Sequence, residues 1–232
     1  MDTLLTGLET VGFFLVGLIA RIGLVIAVVL LVVAAVMPIV FAIRGVVRLG
    51  QRAQGISPEG SMMFKPKLHY APGHTWLEAM EAGTVRVGID DLARRIVPGA
   101  PAVELPAVGA LVHKGDAVAT MKTGNRIVRV RAPVDGVVAS VNSAVRKDGT
   151  LPKRHPYGRG WLFTMVPLDT SFEQLPSGDD ARSFLRTEHE RLEAFFEKSL
   201  GYAAADGGEL VAEPATLLDD AHFAELAESF VG

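Results

Sequence analysis

The alternation of apolar and polar positions is absent near the start of the chain. From Ile22 to Ile43 every residue is apolar, Gly or Pro. A helix of that length crosses the roughly 30 Å of a bilayer's hydrocarbon, whereas a buried core helix is normally shorter and keeps a polar face. This pattern predicts a transmembrane helix over 22–43. Val11 to Ala20 forms another apolar run, too short to span alone and set off by Arg21. Residues 1–21 therefore either extend one tilted helix or lie in the interface, with Arg21 snorkelling to headgroups or pairing with an acidic group on a neighbouring subunit. Gly23 and Ala27 have the spacing that lets helices approach closely, and Pro38 removes a backbone donor and favours a kink.

Past the span the text becomes polar. Residues 44–63 read as a basic linker, with "QRAQGISPEG" flexible in composition. Residues 64–170 show short apolar runs broken by Gly, Pro and Asp. "GTVRVGID" alternates with Val85 and Val87 on one face, and "PAVELPAVGALVHKGDAVATM" reads as three strands with intervening turns. "VDGVVASVN" places a tight turn at Asp135-Gly136 before a further strand. Only "IDDLARRI" has helical spacing in this block, with Asp90-Asp91 as its cap. Many short strands at close spacing predict a mainly β sandwich or barrel.

Residues 171–232 form a helical extension. Leu185, Leu192, Phe196 and Leu200 fall on one stripe of a helix over 177–200, Ser177 with Asp180 has the form of a capping box, and Arg186 with Glu190 is an i,i+4 pair. "AAADGGEL" reads as a loop and 217–230 as a short acidic amphipathic helix. Both helices pack on the sheet domain in the simplest reading and dock on a partner in the other.

Charge gives the span a direction. Arg44, Arg48 and Arg52 follow it directly, with Lys65 and Lys67 beyond, while Asp2 and Glu9 precede it without any Lys or Arg before Arg21. By the positive-inside bias the N-terminus is outside and the C-terminal domain faces the cytoplasm, in a single-pass inner-membrane topology. The same flanks fit a cleaved signal peptide poorly. With no cysteine, disulfides, thiolate metal sites and thiol catalysis are excluded. A net charge of −3 gives no reason to expect a nucleic-acid partner. The six histidines lack metal-ligand spacing, and His74 beside Trp76 reads as structural. No phosphate loop, serine elbow or carboxylate pair marks an active site, and nothing marks a small-molecule pocket.

Between Tyr70 and Leu168 the pieces "HTW", "TVRVGID", "AVELPAVGALVHKGD", "APVDGVVASVN" and "HPYGRGWLF" occur in order. This block resembles the H-protein of the glycine cleavage system. The resemblance implies a barrel-sandwich hybrid with a short helix, and a lysine at a β-hairpin tip that carries lipoate in an amide bond. In that family, as in lipoyl and biotinyl carriers, the modified lysine lies seven residues before a small residue followed by Pro. Here the landmark is Ala132-Pro133, and the corresponding position is Asn125. A carboxamide cannot be acylated by a lipoyl ligase. The neighbouring lysine, Lys122, lies three residues earlier, an odd shift that changes the strand face it projects from.

Lys122, Arg126, Arg129 and Arg131 leave the hairpin basic, with Val128 and Val130 directed to the core. These four residues are the candidate docking surface for an acidic partner or an anionic leaflet. The leading expectation is a non-catalytic, non-lipoylated accessory or scaffold subunit, membrane-anchored, that docks on other protein subunits of a membrane complex or recruits a cytoplasmic enzyme to it, with redox or respiratory assemblies suggested only by fold analogy. The alternative is a membrane-tethered carrier with lipoate on Lys122. A ligand sensor is the third class.

Overall fold

The structure is a computed structural model that describes residues 21–43, 57–59, 62–200, 205–206, 209–210 and 214–231. The chain divides into two compact units, Met1–Gln54 and Gly55–Gly232. In the first, helix α1 runs over Arg21–Ile43, long and apolar enough to cross a membrane, and none of that apolar window is buried against protein. At 1.5 Å per residue its 23 residues extend about 35 Å. The apolar run before Arg21 lies outside the described residues.

The second unit is built on a six-stranded sheet and a three-stranded sheet. Strands β3 (His69–Tyr70), β4 (Thr75–Ala79), β5 (Val85–Ile89), β11 (Phe163–Pro167), β10 (Gly136–Val141) and β7 (Leu111–Val112) follow one another in that order across the first. The second has β8 (Ala117–Thr123) between β6 (Ala102–Glu104) and β9 (Arg126–Arg131). Every pairing in both is antiparallel. Val85, Val87, Phe163 and Met165 from the larger sheet share one buried core with Val103, Met121, Val128 and Val130 from the smaller. Period-two alternation puts these residues inside, as expected for sheets with one wet face.

The pieces quoted from the sequence meet physically. Trp76 on β4 pairs across the strands with Gly88 on β5, and a Cβ at Gly88 would lie 2.4 Å from the indole ring. Only glycine admits the indole there. The buried indole Nε1 donates to the carbonyls of Ile89 (2.9 Å) and Pro156 (3.1 Å). Tyr157 accepts from the Asp91 amide at 3.0 Å and donates to the Met63 carbonyl at 2.7 Å. The "HTW", "VGID" and "HPYG" segments are thus one packing unit rather than three separate signals.

Several elements differ from the sequence reading. A ribbon of β1 (Ser57–Glu59) and β2 (Met62–Phe64) begins inside the segment read as linker, and Met62 and Phe64 are buried. Helix α2 (Asp91–Ile96) is the expected one, but α3 (Ser143–Lys147) and α4 (Leu151–Arg154) also interrupt the β block. They are one turn each, too short to show a 3.6-residue period; the Asn142 side chain caps α3 and Pro152 sits in the first turn of α4. Residues read as a loop hold a minimal pairing of β12 (Ala205–Asp206) with β13 (Glu209–Leu210). Helix α5 spans Gly178–Leu200. The last helix, α6, spans Asp220–Phe230 and starts later than expected because Asp219 caps it and a 3-10 turn, Pro214–Leu217, precedes it.

Both C-terminal helices pack on the sheet domain. Leu185, Leu192 and Phe196 of α5 are buried on the predicted stripe, as are Phe223, Leu226 and Phe230 of α6.

Candidate functional site

The β8–β9 hairpin turns through two residues, Gly124 and Asn125. Gly124 has φ of +60° and Asn125 has no positive φ, the arrangement of a type II′ turn that favours Gly first. Asn125 therefore stands exposed at the tip, the position the lysine count selected. Lys122 does not reach the turn. It sits within β8, opposite Ala102 on one side and Ile127 on the other, with its side chain exposed on the outer face. An amide-linked arm needs a primary amine, and the tip residue offers a carboxamide with none. The residues at the tip do not fit lipoate.

The four basic residues separate into two pairs. Lys122 and Arg129 are exposed on the same outer face of the three-stranded sheet. Arg126 and Arg131 are engaged by the C-terminal extension. Arg126 donates to the carbonyls of Ala215 (2.7 Å) and Leu218 (2.5 Å), contacts Asp220 at 3.2 Å, and lies 4.9 Å from the Phe223 ring centroid. Arg131 donates to the Gly115 carbonyl at 2.8 Å and faces Glu228 at 3.6 Å. Period two explains Arg126: it shares parity with buried Val128 and Val130, so it points to the side that α6 covers. Arg21 is the first residue of α1; Arg44, Arg48 and Arg52 lie outside the described residues.

Composition did not reveal the buried ionic group beneath the first turn. His74 is fully buried with φ of +54°, following the tight turn Ala71–His74. Its Nδ1 lies 2.9 Å from Asp90 Oδ2, while Asp90 Oδ1 accepts from the Leu92 and Ala93 amides and caps α2. Its Nε2 faces Glu188 Oε2 on α5 at 3.4 Å, an ion-pair distance and long for a hydrogen bond. Glu188 also binds Arg191 at 2.6 Å. The imidazole stands between the two carboxylates, so they do not converge on a common point, and among the described residues no group of His, Asp and Glu forms a metal site. The one clue in the sequence was "HTW" paired with an acidic helix cap; the Glu188 partner lies too far along the chain to be read.

Burial opposes charge on His74, but the charge and hydrogen bond of Asp90, with Glu188 behind them, outweigh it and lift the imidazole to about 9. The contact to His74, opposed by burial and aided by Arg191, holds Glu188 below the usual carboxylate range. The histidine contribution to stability is complete below the unfolded value of about 6.5 and is lost as pH rises through about 9. The Glu188 contribution has the opposite sign, present above the ordinary carboxylate value and lost as pH falls through its lower folded value. Stability is expected to be greatest near pH 5 to 6.5 and to fall by on the order of 3 kcal/mol toward pH 9.5. Denaturant midpoints across that range check the sign; a midpoint that rises with pH would mean that His74 is neutral.

Two packed sheets with a projecting two-residue hairpin define a barrel-sandwich hybrid of the carrier-domain class. The family model described as glycine cleavage H-protein matches residues 68–188. Similar proteins include the glycine cleavage system H protein of Psychrobacter cryohalolentis, 33% identical over 115 residues, covering 49% of this chain and 91% of the relative. A glycine cleavage system H protein of Thermus thermophilus is 36% identical over 120 residues, covering 51% and 93%. Among solved structures, a glycine cleavage system H protein from Mycobacterium marinum has 29% sequence identity, a TM-score of 0.42, and coverage of 45% of this chain and 87% of that one. The chain belongs to the glycine cleavage H-protein family. Helix α6 and the second half of α5 fall outside the matched residues.

Proposed function

We propose that this protein is a membrane-anchored, H-protein-like accessory subunit that carries no lipoate and acts by docking. The observation that carries the reading is Asn125 at the hairpin tip, where the chemistry of an acyl arm needs an amine. Helix α1 supports an anchor, and Arg44, Arg48 and Arg52 after it support a cytoplasmic side for the sheet domain. The partners are other protein subunits of a membrane complex, a redox or respiratory assembly being the first to test. No catalytic role is assigned.

With Arg126 and Arg131 engaged by the chain itself, the docking surface narrows to Lys122 and Arg129 on the outer face. Reversing both, Lys122→Glu with Arg129→Glu, is expected to weaken association with the native partners about tenfold or more, mostly at low salt. Retention on the purified complex, measured at two salt concentrations, reads this. A complex that forms unchanged would remove the basic face from the account.

The second reading is a tethered carrier with lipoate on Lys122, favoured by family membership and by the exposure of that side chain. Lys122→Arg separates the two: it removes the acylation site and keeps the docking charge.

A further inference from the structure

A cavity of about 320 Å³ opens where the C-terminal extension meets the sheet domain. Its walls come from the Ala71–His74 turn with Thr75, the Lys114-Gly115 turn, the end of β9, and the extension through Arg191, Ser229 and Phe230. Three cations line it, Lys114, Arg131 and Arg191, and no Asp or Glu is among its lining residues. Three anions stand close by: Glu228 faces Arg131, Glu188 pairs with Arg191, and Asp135 accepts from the Lys114 backbone amide at 2.6 Å. Lys114 has no ion pair among the described residues, and Arg191 uses only Nη1 on Glu188, leaving further N–H donors.

A separate observation points to a ligand. Thr75 lines the cavity at 1% exposure, and its Oγ1 is buried without a hydrogen-bond partner. An unsatisfied buried hydroxyl is costly and rare in folded proteins. Apart from Ser229 the remaining lining is apolar or Gly, with Pro72 and Phe230 on it, and the volume lies at the small end of small-molecule sites. We infer that this cavity binds a small organic acid, its carboxylate received by Lys114, Arg191 and the Thr75 hydroxyl and its short apolar body against Pro72 and Phe230. Charge-assisted hydrogen bonds to a carboxylate are the strong kind this donor set provides. Arg191 and Phe230 lie beyond the residues the family model matches, so the site is completed by the extension. It stands apart from the docking role, since neither Lys122 nor Arg129 lines it.

The test is calorimetric titration of the full-length chain in detergent micelles at low salt, with butyrate as probe and inorganic phosphate as comparator. Saturable butyrate binding with a Kd of about 0.1 to 1 mM is expected. Lys114→Gln changes an exposed side chain and leaves the fold intact; it is expected to weaken binding about fivefold. Thr75→Val is expected to weaken it about tenfold. Absence of saturable butyrate binding up to about 10 mM overturns the inference. So does binding that both variants leave unchanged. Phosphate binding tighter than butyrate overturns the assignment to a carboxylate with an apolar body.

Discussion

Asp90→Ala is expected to cost about 4 kcal/mol of stability, the largest effect of any single change outside the hydrophobic core. Two roles disappear together. Asp90 Oδ1 holds the Leu92 and Ala93 amides at the start of α2, and Oδ2 holds His74. Losing a helix cap costs about 1 kcal/mol. Stranding a buried charge costs about 3 to 5 kcal/mol, or forces the imidazole to give up its proton. For a unit of this size the combined loss corresponds to a fall in Tm of about 8 to 16 °C. Asp90→Asn divides the two roles, because a carboxamide still caps the helix and removes the charge. It is expected to recover about 1 kcal/mol and to remove most of the decline in stability between pH 6.5 and 9, the remainder being held by Glu188. If Asp90→Asn keeps that decline in full, Asp90 is not what holds the proton on His74.

Arg126→Ala is expected to release α6 from the hairpin without unfolding the sheets. The side chain donates to two carbonyls in and just after the 3-10 turn and stacks against Phe223. Bonds from a charged donor to partly buried acceptors contribute about 1.5 to 3 kcal/mol, and the cation–π contact adds about 1. A local loss of about 3 kcal/mol raises the opening of residues 214–231 by about a hundredfold, read as faster amide hydrogen exchange there. Asp220→Ala removes only the exposed ion pair and is expected to change exchange less than about threefold. Equal effects from the two changes would place the stability of α6 in its apolar face alone. In this chain the segment that contacts Arg126 on the hairpin is part of the same polypeptide.

The sequence made the sheets legible because their alternation is regular and their glycines and aromatics are spaced by packing demands, as Trp76 over Gly88 shows. It made the Asn125 position legible through the resemblance alone, whose spacing from lysine to the small residue before Pro is counted back from Ala132-Pro133. It left α3 and α4 unseen, since one turn of helix carries no period. It grouped Arg126 with Arg129 and Arg131 by charge, although period two assigns Arg126 to the opposite face. The pairing of His74 with Glu188 depends on α5 returning across the sheet domain, and residues 114 positions apart give no local signal. The cavity escaped for the same reason, because its cations come from a turn, a strand and a helix far apart in the chain.

The central claim is that the carrier fold persists without its arm. Its most direct test is the intact mass of the protein purified from its native membrane in mild detergent, with the co-purifying chains identified from the same sample. The account predicts the unmodified mass together with a constant set of membrane subunits. A mass raised by one lipoyl group, and lost in Lys122→Arg, would contradict it and make the protein a tethered carrier.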